Sequence, residues 1–159
     1  MRKLSHINDK SRAQMVDVTA KAATLRRARA CGCVMMDKKT LDLVEKEQMT
    51  KGDVLGTAKI AGIMAAKKTG ELIPLCHPLE LTDIELNLKV DRKKSRVDIE
   101  AEVKTMGRTG VEMEALTAVG VAALTVYDMC KAADKKMVIG EIMLLEKTGG
   151  KSGNFIRKQ

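Results

Sequence analysis

The sequence predicts an α+β fold, an antiparallel sheet with helices packed on one face. Two neighbouring stretches alternate apolar and charged residues with a period of two, and two others are long, apolar and rich in alanine. The elements follow the order strand, helix, strand, strand, helix, strand, which is the split-βαβ or ferredoxin-like order. At 159 residues the chain is long enough for one real core, and no Ser/Gly/Pro-rich linker divides it. The expected organisation is a polar, flexible arm over residues 1–15, a single domain over 16–153 and a short basic tail over 154–159.

The first strand is read over residues 25–36, where polar positions alternate with small or apolar ones, although Gly32 weakens the pattern. A short helix is expected over 38–47. Thr50 and Asp53 are candidate N-caps for a second helix from Val54 to Lys68, rich in Ala, Ile and Met and ending at Gly70. The chain's two prolines, Pro74 and Pro78, then bracket Ile73-Pro74-Leu75-Cys76-His77-Pro78-Leu79. Proline fixes its own φ and pushes the preceding residue toward an extended backbone, so His77 is presented on a stiff, non-helical strap. Ile84, Leu86, Leu88 and Val90, then Val97, Ile99, Ala101 and Val103, alternate with charged and polar residues around Arg92-Lys93-Lys94-Ser95, as in a half-buried hairpin. A loop over 106–110 leads into a long helix from Glu112 to about Ala133, and the last strand runs from about Met137 to Glu146.

Both long helices are too apolar to have a water-facing side, so a second copy of the chain is expected to cover part of them. No uninterrupted apolar run approaches a membrane span, and the polar N-terminus lacks the apolar core of a signal peptide, which favours a cytoplasmic protein that does not bind membranes. Cys31, Cys33, Cys76 and Cys130 form no C-x-x-C and are expected to be reduced, mostly buried thiols. Cys31-Gly32-Cys33 is a weak metal hint, but the ligands for a closed zinc site are missing and no metal is expected.

A formal charge of +8 favours an anionic partner. With no Trp, one Tyr and one Phe, the chain cannot build the stacking platforms used on single-stranded nucleic acid, so a small polyphosphate fits better than RNA. Glu112, Glu114, Thr117, Thr125, Asp128 and Lys131 stand out on the apolar long helix and need partners or a site. Glu114 and Asp128 share a side of that helix within about 60°, yet lie about 21 Å apart along it. If both are functional, the site is assembled between subunits. The alternative is that Glu112, Glu114 and Lys131 are helix-end charges placed by the dipole. Gly149-Gly150-Lys151-Ser152 resembles the end of a P-loop, but Leu145 stands where that motif needs Gly, and no helix follows. Lys147, Lys151, Arg108 and Lys51 flank glycine turns and are phosphate-binding candidates, with solvated surface lysines as the alternative. His77 alone reads more readily as a satisfied core histidine than as a site residue, by about two to one.

Five segments together resemble a known family. Thr50-Lys51-Gly52-Asp53-Val54, Leu75-Cys76-His77-Pro78-Leu79, Thr109-Gly110-Val111-Glu112-Met113-Glu114-Ala115-Leu116, Tyr127-Asp128-Met129-Cys130-Lys131 and Lys147-Thr148-Gly149-Gly150-Lys151-Ser152-Gly153 are similar, in order, to the molybdenum cofactor biosynthesis protein C family. The likeness spans residues 6–153, with Cys31, Cys33 and Arg108 as mild departures. It implies a ferredoxin-like subunit in a homohexamer, a trimer of dimers with sites at the dimer interfaces. It also implies conversion of the 3',8-cyclised dihydro-GTP nucleotide to cyclic pyranopterin monophosphate and pyrophosphate. By motif, Asp128 and Lys131 are the implied acid/base pair and Lys51 a further proton-transfer group. Leu75, Cys76, His77, Glu112, Met113 and Glu114 are implied substrate contacts, with Lys147 and Arg26 as phosphate or pterin contacts. The chemistry suits a lysine of depressed pKa beside a carboxylate. No resident cofactor is expected, with magnesium on the triphosphate left open, and the upstream radical S-adenosylmethionine enzyme is a candidate partner. The competing classes are a basic RNA-binding module and a non-catalytic scaffold of the same fold.

Overall fold

A computed structural model describes residues 13–151 and 153–158. Most of the expected arm, including His6, and Ser152 of the last motif lie outside the described residues. In chain order the elements are β1 (Thr24–Met35), α1 (Lys38–Glu45), α2 (Val54–Lys67), α3 (Thr69–Leu72), β2 (Asp83–Asp91), β3 (Arg96–Gly107), α4 (Glu112–Cys130), β4 (Val138–Thr148) and β5 (Phe155–Ile156). The sheet is antiparallel in the order β2-β3-β1-β4-β5, so β3 lies between β1 and β2 and splits the βαβ unit as the sequence predicts.

Register explains the core. Ala28, Ala30 and Val34 of β1 sit opposite Val103, Ala101 and Val97 of β3, and all six are buried. Onto this surface α4 lays Ala115, Ala118, Val119, Ala122, Ala123 and Val126, all fully buried. Each fully buried valine contributes about 1.5–3 kcal/mol. The small side chains let helix and sheet approach closely. Gly32, which weakened the first strand as a sequence pattern, is needed there: a Cβ at that position would stand 2.7 Å from Val119 Cγ1.

The opposite face of the sheet is charged. Arg27 pairs with Glu102 at 2.6 Å and Glu146 at 3.2 Å, and Arg29 pairs with Glu100 at 2.5 Å. Arginine and glutamate occupy the face where an RNA-recognition sheet needs aromatics, so the RNA-binding alternative finds no support.

Several boundaries differ from the expectation, for local reasons. Asp53 is the N-cap of α2, accepting from Gly56 N at 2.8 Å, and Thr50 is not. Helical structure does not stop at Gly70, because α3 restarts at Thr69, whose hydroxyl donates to Ala66 O at 3.0 Å. It ends at Ile73, extended before Pro74 with φ −110° and ψ 109°. The long helix closes at Cys130, three residues before Ala133. There Asp134, 5% exposed, accepts from Asp37 N and Lys136 N and turns the chain toward β4. The expected tail contributes β5, which pairs with Glu146 and Lys147.

By length and composition alone α4 could cross a membrane, yet half of it is buried inside the chain against sheet and α2. Part of the helix layer stays open to solvent. Ile60, Met64 and Leu124 are 62%, 54% and 60% exposed.

Candidate active site

The expected site residues gather at the two ends of α4. At its C-terminal end, the turn before α2 brings in Lys51, whose ammonium donates to Asp128 Oδ2 at 2.7 Å and to Asp128 O at 3.1 Å. Lys131 binds the other carboxylate oxygen, Asp128 Oδ1, at 2.6 Å. Two lysines thus clamp one aspartate in an exposed cluster. Lys131 first, then Lys51, hold the Asp128 carboxyl down to about 2. Asp128 in turn raises Lys131 above its ordinary value. For Lys131 this corrects the expected depressed lysine: beside an ionised carboxylate the ammonium is favoured, so Lys131 is charged at neutral pH and suited to donate a proton. An acid in the last turn also opposes the helix dipole, so dipole placement does not account for Asp128.

At the N-terminal end of α4 lie two cavities. The smaller, about 390 Å³, is lined by Leu75, Cys76 and His77 of the proline strap and by Glu112, Met113 and Glu114. The larger, about 860 Å³, is lined by Arg26, Arg27, Arg108, Lys147 and Lys151 with Gly149 and Gly150. Lys21, Thr109, Gly110 and Glu112 line both, so the two adjoin there.

Burial distinguishes these groups from ordinary surface charges. Glu114 is 3% exposed, and desolvation, with a smaller push from Glu112, raises its carboxyl to about 7. Dipole placement would not require such burial. Arg26 is 8% exposed; its Nε donates to Gly107 O at 3.2 Å and its Nη2 to Arg108 O at 3.4 Å. Among the described residues it makes no ion pair, and this largely buried guanidinium lines the larger cavity, where its fork of N–H donors suits an anion. Gly149 and Gly150, at φ +92° and +83°, fold the glycine loop onto it, and a Cβ on Gly150 would collide with Arg26 Nη1. Lys147 pairs with Glu112 at 3.5 Å.

His77 is neither free nor in the core: its Nε2 lies 2.8 Å from Val16 O. Burial raises the thiols of Cys31, Cys33 and Cys76, and pushes Cys130 up to about 11, so all four are protonated at neutral pH. Sequence reasoning missed Lys21 and the segment before it. The alternation Val16-Asp17-Val18 was a signal for half-buried extended chain, but it is too short to stand out beside a polar terminus.

Within one chain the Lys51/Asp128/Lys131 cluster cannot meet the cavities, because α4 keeps Glu114 and Asp128 about 21 Å apart along its axis. Facing copies of the chain would bring one acid/base cluster to one basic, partly buried cavity.

The sequence profile of the MoaC family matches residues 15–150. The chain is similar to the cyclic pyranopterin monophosphate synthase of Heliobacterium modesticaldum, 58% identical over 98% of each chain. It is 58% identical to that of Pelotomaculum thermopropionicum, over 98% of this chain and 91% of the relative. It is 54% identical to that of Bacillus thuringiensis, over 99% of each.

Proposed function

The chain belongs to the MoaC family, and we infer that it converts the 3',8-cyclised dihydro-GTP nucleotide to cyclic pyranopterin monophosphate and pyrophosphate, an early step of molybdenum cofactor biosynthesis. The observation that carries this reading is that the residues of five separated motifs collect into two clusters of complementary chemistry, one acid/base and one anion-binding.

In the proposed reaction Asp128 and Lys131 form the acid/base pair, the carboxylate holding the Lys131 ammonium in its charged, proton-donating form, with Lys51 a further proton-transfer group through its 2.7 Å contact to Asp128. Closing the cyclic phosphate forms a bond from a substrate hydroxyl oxygen to the α-phosphorus and breaks the bond to the pyrophosphate. The hydroxyl proton leaves to a base, and the departing charge needs cations. Arg26 and Lys147 supply them in the larger cavity, while Leu75, Cys76, His77, Met113 and Glu114 wall the smaller one around the ring system. Glu112 bridges the two cavities. These steps need no resident cofactor; magnesium would enter on the triphosphate, as part of the substrate.

The working unit is a homohexamer, a trimer of dimers, with each site shared by two subunits. The separation of the half-sites and the open apolar positions Ile60, Met64 and Leu124 support it. Four unpaired cysteines suit the reducing cytoplasm, where the upstream radical S-adenosylmethionine enzyme is the candidate donor of substrate. Incubating the protein with the cyclised nucleotide tests the assignment. Stoichiometric pyrophosphate with a cyclic phosphate ester seen by phosphorus NMR is expected; unchanged nucleotide refutes it.

A further inference from the structure

Residues 16–21 run along the smaller cavity as a strap. Val16 and Val18 are half-buried and line it, whereas Asp17 and Thr19 are exposed. Thr19 N donates to Asp17 Oδ1 at 2.8 Å and Lys21 N to Val18 O at 3.0 Å, closing a turn that brings Lys21 back to the place where the two cavities join. Among the described residues, the hydrogen bond tying this segment to the body of the fold joins His77 Nε2 and Val16 O at 2.8 Å. A carbonyl oxygen only accepts, so Nε2 carries the proton and donates. The anchor itself is stiff, because Pro74 and Pro78 bracket it. With Nε2 engaged in this way, His77 acts on the site through the strap.

We propose that His77 is a positioning residue that latches the 16–21 strap and thereby holds the Lys21 ammonium at the junction of the cavities as an additional contact for the phosphate chain of the substrate. This rests on the reading of the site as a polyphosphate pocket and adds a residue to it. Lys21 has Thr109, Gly110 and Glu112 as neighbours in both cavity walls and lies beside the one that holds Arg26 and Lys147. An ammonium on a pinned segment binds an anion at less entropic cost than one on loose chain.

The test uses the whole protein with His77→Ala, His77→Gln, Lys21→Gln and the His77→Ala/Lys21→Gln double variant. Amide hydrogen exchange over residues 16–21 is read without any ligand. Losing one hydrogen bond should speed it about five- to tenfold in His77→Ala, with His77→Gln, which keeps an N–H donor, close to wild type. Inorganic tripolyphosphate is the binding probe. Lys21→Gln and His77→Ala should each weaken it several-fold, and the double variant should be no weaker than His77→Ala alone within about twofold. With the nucleotide, His77→Ala should raise KM more than it lowers kcat. Unchanged exchange in His77→Ala overturns the latch, and losses that multiply in the double variant overturn the coupling and place His77 directly on phosphate. Nitrogen NMR of unmodified protein gives a reading that no variant can spoil: the neutral ring should carry its proton on Nε2, and an Nδ1–H tautomer refutes the latch. Lack of turnover by the wild type, with exchange and tripolyphosphate results as expected, would count against the reaction and leave the latch standing.

Discussion

Mixing Asp128→Ala subunits with Lys147→Ala subunits should restore activity that neither variant has alone. Asp128 lies in the exposed cluster at the C-terminal end of α4, and Lys147 lines the cavity near its N-terminal end. In a two-fold dimer with shared sites, a mixed pair has one site carrying both lesions and one carrying none. Random exchange at equal amounts makes about half the dimers mixed, so about a quarter of wild-type sites return. Both side chains sit outside the fully buried core, at 54% and 23% side-chain exposure, so each variant should keep its fold and its oligomer. The assay is pyrophosphate release after subunit exchange, with exchange itself verified by native mass spectrometry. Lys51→Ala mixed with Asp128→Ala is the control. Lys51 Nζ and Asp128 Oδ2 are 2.7 Å apart in one chain, so both lesions fall in the same half-site and no site is repaired. No recovery from the first mixture once exchange is shown, or recovery from the control, would sink the shared-site argument.

Further outcomes follow from burial and charge. Glu114 ionises at about 7 in the folded chain against 4.5 for the free group, so the native state pays to ionise it as pH rises through that window. Glu114→Gln should match wild-type stability near pH 4 and exceed it by up to about 3 kcal/mol above pH 8 in denaturant titrations, and a pH-independent difference would refute the assignment. Asp128 is depressed to about 2, so its stabilising pairs persist above the ordinary aspartate range and are lost as pH falls through about 2. Lys131→Met should move the Asp128 carboxyl back up toward 3.8 in a carbon NMR titration; an unmoved value would show that Lys131 is not the main cause. Gly150→Ala puts a methyl against Arg26 Nη1 at a φ of +83°, at a cost of about 1–2 kcal/mol in backbone strain alone. Its tripolyphosphate affinity should fall about tenfold with little change in secondary structure, and unaltered affinity would remove Arg26 from the anion site.

Much of the fold was legible because its signals are local. The period-two alternation of 84–90 and 97–103 forms β2 and β3 in the expected hairpin, and Asp53 caps the helix it precedes. The element order yields the split sheet. Some boundaries moved for local reasons, and two moved through contacts between different elements: Asp134 reaches Asp37 N just after α4 ends, and the pairing of Phe155 with Lys147 turns the tail into an edge strand. The site was legible as residue types and as one distance, since the 14 helical steps from Glu114 to Asp128 fix their separation before any packing is known.

By itself, then, the sequence determined the strand and helix pattern, the chemistry available and the impossibility of one small ligand bridging both carboxylates of one α4. Tertiary structure alone decided which groups are charged and what they touch. Lys131 is raised instead of depressed because Asp128 lies 2.6 Å away, burial raises Glu114 to about 7, and Arg26 is fixed by the carbonyls of Gly107 at the end of β3 and of Arg108. His77 is tied to Val16, 61 residues earlier in the chain. Periodicity is set by neighbours along the chain, but ionisation and hydrogen-bond partners are set by neighbours in space, and only folding supplies those.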